Sequence, residues 1–280
     1  MAARDDHGSA MSPLRLFGAE LRHYRNRARM SQEQLAGRVF CSADLIAKIE
    51  KGQRTPSGKL TLALDGVPEL RTEEALARLR EHMRDALKFR AYPGWFHDWP
   101  DKEAVAKILR FFALAVVPGL LQTEAYARAL LTGRIGSSAD DVEEKVAARM
   151  ERQAILDRDT PPELWAVLDG ALLHRPVGGK HVMREQLNHL IEMARRPNIV
   201  IQVIPASVGV HHGLAGLGFV IADSDDTSPV AYQETSVRGQ VIEDADDVAV
   251  LAATWDRVRA EALPRSASLE LMEEVAKTWT

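Results

Sequence analysis

The sequence predicts two domains of different class: an all-α N-terminal domain over residues 13–90 and a larger α+β domain over 91–280, behind a flexible polar tail at 1–12. Three observations carry this expectation. Apolar residues recur at helical spacing through the N-terminal stretch, a Pro- and aromatic-rich segment (AYPGWFHDWP) breaks the pattern after Arg90, and helical and strand-like segments alternate beyond it. With 280 residues and 46% hydrophobic content, the chain can build one small and one larger core.

Leu14, Phe17, Leu21, Tyr24 and Ala28 form the buried stripe of a first helix whose opposite face carries arginines. Ser31 is placed to N-cap a second helix, with Gln34 completing a capping box and Leu35, Ala36 and Val39 facing inward. Ser42 caps a third short helix that turns Ile46 and Ile49 inward and ends near Gly52. Two short helices joined by so short a turn have the geometry of a helix-turn-helix.

Charge is segregated along the chain. Between Pro13 and Lys59, ten basic residues stand against four acidic ones, a net +6, whereas the whole chain carries −4, so the remainder carries −10. A basic module on an acidic body suits a polyanionic partner on one side and repels it elsewhere. The single cysteine, Cys41, excludes an intramolecular disulfide and any multi-cysteine zinc site, and reads as a core residue. The tail lacks the apolar stretch of a secretion signal, and no later segment has the length of a membrane span, so a soluble cytoplasmic protein is expected, with no membrane partner.

Residues 14–66, with LRHYR, SQEQLA, AKIEKGQRTPS and the later GVP in order, resemble the Cro/repressor-like, xenobiotic-response-element family of helix-turn-helix regulators. The resemblance implies five helices, at roughly 14–29, 31–38, 42–50, 58–65 and 72–90, and double-stranded DNA as the partner. Such a module places its third helix in the major groove. The side of that helix away from Ile46 and Ile49 carries Ser42, Ala43, Asp44, Ala47 and Lys48, the candidates for base readout. Gln32 resembles the family glutamine that orients on DNA, while Lys48, Arg54 and the first-helix arginines are candidates for phosphate contacts. Asp44 could accept from a cytosine amino group or serve as an exposed carboxylate in the first helical turn. Glu50 would be repelled by DNA and is expected to pair with Arg22 or Arg25. A symmetric readout further implies a homodimer with half-sites about one helical turn apart. Phe40 stands where the family often has Gly, so either the turn differs slightly or packing holds Phe40 in place.

In the second half, FFALAVV suits a buried strand, PGLLQ a loop, and Thr123 a cap for EAYARALL. Residues 140–158 and KHVMREQLNHLIEMARR read as amphipathic helices, the latter with Met183, Leu187, Leu190 and Ile191 inward. ELWAVLD reads as a strand; NIVIQVIP, LGFVIA, PVAYQET and QVIED follow as strands of one sheet, and helices are expected near 245–262 and 266–277. The blocks VPGLLQTEAYARALL, ARMERQAIL, LLHRPVGGKHVMREQLNHLIEMARRPNIVIQVIP and the spacing from Trp255 to Ser268 resemble the uncharacterised domain found behind the helix-turn-helix in antitoxin-like actinobacterial regulators. The resemblance implies dimerisation, partner or ligand sensing, and a small acidic protein encoded alongside. Where that family usually has Glu after V-L-D, this chain has Gly170.

Catalytic patterns are absent from this reading. VGGKH lacks the glycine spacing and the Ser/Thr of a phosphate-binding loop; His211 and His212 are adjacent and read as loop residues; and the acidic run at 223–226 lacks the glycine and distal glutamate of a calcium loop. No enzyme activity, cofactor or metal is therefore expected. Use of the helix-turn-helix mainly as a protein-interaction module is the alternative.

Overall fold

The computed structural model describes residues 12–133, 138–235 and 237–279; the tail expected at 1–12 lies, but for Ser12, outside the described residues. The chain divides into two compact units. The first holds α1 (Pro13–Arg27), α2 (Gln32–Arg38), α3 (Ala43–Glu50), α4 (Gly58–Asp65) and α5 (Ala75–Ala91), together with the N-terminal part of α8 (Ala139–Arg152). Its core gathers Leu14, Phe17, Leu21, Leu35, Ile46, Ile49, Leu64, Leu70, Leu76, Met83 and Leu87. Gly18 lets α1 meet α3 closely, since a Cβ there would lie 2.4 Å from the Ile49 carbonyl oxygen.

The caps form as the residue types dictate. Ser31 and Gln34 make the reciprocal capping box, and Ser42 accepts from the Leu45 N–H. The fifth helix begins at Ala75 instead of 72, because Asp65 caps it from the end of α4, accepting from the Leu76 and Ala77 N–H groups at 3.2 and 2.8 Å. Arg71, Glu73 and Glu74 have left-handed φ values of 52°, 50° and 62° and precede the helix as a turn.

The second unit is a six-stranded sheet with helices on both faces, in the order β3-β2-β1-β4-β5-β6. β1 (Ile108–Ala113), β2 (Glu163–Asp169) and β3 (Ile199–Ile204) are parallel, while β4 (Phe219–Asp223), β5 (Val230–Glu234) and β6 (Gly239–Ile242) add antiparallel strands. Side chains alternate between two cores. Leu109, Phe111, Leu164, Leu168, Ile201 and Val220 enter the larger one, with Met183, Leu187 and Leu190 of α9 (Lys180–Ala194) and Met272 of α11 (Arg265–Thr278). Phe112, Val167, Phe219 and Ile221 enter the smaller one, with Val248, Trp255 and Val258 of α10 (Ala245–Ala260).

Two expectations are corrected here. The first strand runs over 108–113 instead of 111–117, because Arg110 is accommodated in it by a bidentate pair with Asp223 and by its guanidinium over the Trp255 ring. α8 stops at Arg152 and continues as a tighter 3-10 turn, Gln153–Asp157. The aromatic segment that breaks the helical pattern after Arg90 also enters the larger core: Phe96 and Trp99 are buried in it, and Trp99 stacks on Tyr232 at 5.2 Å between centroids. Beside them, in α6 (Trp99–Val105), the fully buried Glu103 pairs with Arg152 at 2.9 Å and accepts from the Trp99 indole N–H.

The loop before α7 (Glu124–Thr132) is held by buried amides. Gln186 donates to the Leu121 carbonyl and accepts from the Thr123 N–H, while Gln122 donates to the Val117 carbonyl and accepts from Arg149. The β3 edge is covered: the Leu263 N–H donates to the Val203 carbonyl, and the Val203 N–H donates to the Ser268 hydroxyl.

Candidate nucleic-acid interface

α2, the turn at 39–42 and α3 form a helix-turn-helix closed by backbone bonds, with the Cys41 N–H donating to the Ala36 carbonyl at 3.0 Å. Ile46 and Ile49 are wholly buried, so the opposite side of α3 faces solvent. That side carries Ser42, Asp44 and Lys48 as exposed residues and Ala43 and Ala47 as half-buried ones. The short alanines leave it flat. Asp44 and Lys48 pair across one helical turn at 2.8 Å, so the acid and the base on this surface largely offset each other. Arg54 is exposed in the loop leading to α4.

Gln32 points elsewhere. Its amide donates to the Glu50 carboxylate at 2.8 Å and so ties the start of α2 to the end of α3. Glu50 is buried and bound by Arg25 through two hydrogen bonds of 2.5 and 3.0 Å, while Arg22 donates to its backbone carbonyl. Burial alone would raise the Glu50 carboxyl, but hydrogen bonds from Arg25 and Gln32 and the charges of Arg25 and Arg22 outweigh it and hold the pKa below the usual carboxylate value.

In the free chain, bonds within the protein engage four of the five arginines in the stretch expected as the first helix. Arg22 and Arg25 are committed to Glu50, Arg27 donates to the Leu70 and Arg71 carbonyls, and Arg15 pairs with Asp140. Arg38 pairs with Glu69. Among the described residues, the exposed cations of this stretch that keep no side-chain partner are Arg29, at the end of the expected first helix, and Lys51 and Lys59, which were not singled out from the sequence. The available signal was that Lys51 and Lys59 have no acid three or four residues away.

Phe40 fits neither alternative posed for it. Its φ is 54°, so the turn keeps its left-handed form, and its side chain is 97% exposed, so packing does not hold it. Cys41 is half-buried, and burial pushes its thiol pKa up.

In the second unit, sequence reading missed a pairing between distant residues. His211 is buried in a loop, with Nε2 at 2.9 Å from Asp169 and Nδ1 accepting from the Gly213 N–H. Both ring nitrogens are thus occupied by the protein. At Gly170 a Cβ would lie 2.8 Å from the Ile204 carbonyl oxygen, so the backbone packs tightly where the resembling family usually carries an acid. Among the described residues, no cluster of three or more His, Cys, Asp or Glu is placed to hold a metal ion, and no helix is long and apolar enough to cross a membrane.

No curated protein matches the chain, and no solved structure does either. Two families do. Residues 16–79 match a family described as a helix-turn-helix domain, the DNA-binding type of module that α1–α5 build. Residues 96–274 match a family described as a domain of unknown function, DUF5753, a span of well over half the chain. The protein therefore belongs to the DUF5753 family and carries a helix-turn-helix domain ahead of that family's domain.

Proposed function

We propose that the protein is a cytoplasmic, sequence-specific regulator of transcription that binds double-stranded DNA as a homodimer. The observation that carries this is the solvent face of α3: a capped short helix, locked by the Glu50 network, with Ser42, Ala43, Asp44, Ala47 and Lys48 on one side. Such a face is narrow and flat enough to enter the major groove. Phosphate contacts then fall to Lys48, Arg54, Arg29, Lys51 and Lys59, because the first-helix arginines hold the fold.

The DUF5753 domain sets the spacing of two helix-turn-helix modules and receives a small protein partner or ligand, as in the antitoxin-like regulators it resembles. It acts without catalysis, cofactor or metal. A second reading, the module as a protein-interaction surface, draws support from the mutual neutralisation of Asp44 and Lys48.

Selection of the purified chain on a random duplex library separates the two readings. One enriched motif is expected, with an affinity that falls with salt at about −0.9 in log–log slope per neutralised phosphate. Ala47→Arg, which adds a long donor to a short face, is expected to change the enriched bases while the unfolding temperature stays put. Absence of any enriched motif would favour the protein-interaction reading.

A further inference from the structure

Phe40 has two properties that the fold does not use. Its left-handed φ of 54° is one that glycine adopts without strain and that a residue with a Cβ resists. Its ring is 97% exposed, while the turn around it is closed by the bond from the Cys41 N–H to the Ala36 carbonyl. Neither packing nor hydrogen bonding accounts for an aromatic side chain at this position, and residues held in sparsely populated backbone regions gather at functional sites.

The place of the residue narrows the choice. Phe40 lies two residues before Ser42, the N-cap of α3, so their Cα atoms are at most about 7.6 Å apart, two virtual bonds of the chain. The residue therefore lies beside the helix end that, on the reading above, enters the major groove. The apolar group with sequence information in that groove is the thymine 5-methyl, and phenylalanine is one of the side chains that pack on it. We propose that Phe40 is a specificity-determining DNA contact, packing its ring on a thymine methyl at the edge of the site read by α3. This contact rests on the DNA-binding reading.

The test uses the full chain, the duplex enriched by selection, and copies of that duplex in which single thymines are replaced by deoxyuracil, which removes only the methyl. Wild-type protein is expected to lose about fourfold in affinity at one such position, the worth of one buried methyl group. Phe40→Gly is expected to bind the thymine duplex more weakly than wild type and to be indifferent to the uracil replacement. It should also unfold a few degrees higher, because the backbone strain is gone. Phe40→Leu should keep part of the thymine preference. Equal affinity of Phe40→Gly and wild type for the thymine duplex would overturn the contact while leaving the DNA-binding reading intact. A loss of affinity that follows a change in oligomeric state by sedimentation would overturn it too, by making the ring a protein–protein contact. Failure of wild type to enrich any duplex would remove both the reading and the contact.

Discussion

Glu50→Ala is expected to destabilise the helix-turn-helix unit by about 3–5 kcal/mol, because it leaves Arg25 with a partly buried guanidinium and no carboxylate. It also removes the acceptor of the Gln32 amide, so α2 loses its tie to α3. All five tryptophans of the chain, Trp95, Trp99, Trp165, Trp255 and Trp279, lie in the other unit. Unfolding can therefore be followed separately: helical ellipticity should be lost at lower urea in the variant, while the tryptophan emission transition stays where it is. The same network sets a pH dependence. The folded pKa of Glu50 is depressed, so its stabilisation is complete above the unfolded value of about 4.3 and fades as pH falls through the lower folded value. Wild type should lose the first unit in acid, and Glu50→Gln should show a weaker dependence there. Coincident urea transitions in wild type and Glu50→Ala would show that the network adds little.

Arg152→Met is expected to cost a similar amount, about 3–5 kcal/mol, in the other unit, because Glu103 would be left buried without its cation. Trp99 reports the change directly, since its indole N–H donates to Glu103 and its ring stacks on Tyr232. Burial already pushes the Glu103 carboxyl above its ordinary pKa, and without Arg152 it should rise further. A raised folded pKa has the opposite sign to that of Glu50: the variant should be most stable below the unfolded value of about 4.3 and lose stability as pH rises through the folded value. The double variant Glu103→Leu/Arg152→Met should recover much of the loss, because an apolar pair needs no compensating charge. Tryptophan transitions of Arg152→Met that match wild type across pH would sink the argument.

These two networks also mark where sequence reading succeeds and where it stops. Ser31, Ser42 and Thr123 were legible as caps because a cap and its recipient N–H lie within three residues. ELWAVLD was legible as a strand because its short apolar run is bounded by acids within seven residues. Glu50 was read as internal, with both of its arginine partners, because a carboxylate on a DNA face is electrostatically implausible. The start of β1 was not legible: Arg110 looks like a strand terminator until it meets Asp223, 113 residues away. The internal partners of the first-helix arginines were not legible for the same reason, since Leu70 and Asp140 are remote in sequence. The candidate readout residues share one face of α3, whereas Gln32, expected as an orienting residue, bonds to Glu50, a partner that its local sequence does not announce.

The cover on the β3 edge has a consequence for how the chain is made. Ile199–Ile204 is a six-residue apolar strand, and an open strand of that kind is a template for pairing with other chains. Its cover comes from Leu263 and Ser268, residues made about sixty positions later in the chain. During synthesis the strand thus exists for some sixty residues of translation before the segment that shields it emerges, several seconds at about 5–20 residues per second. The segment from Leu263 to Ser268 accordingly guards the nascent sheet against its neighbours on the polysome, and a ribosome that stops before Leu263 releases a chain with an adhesive edge.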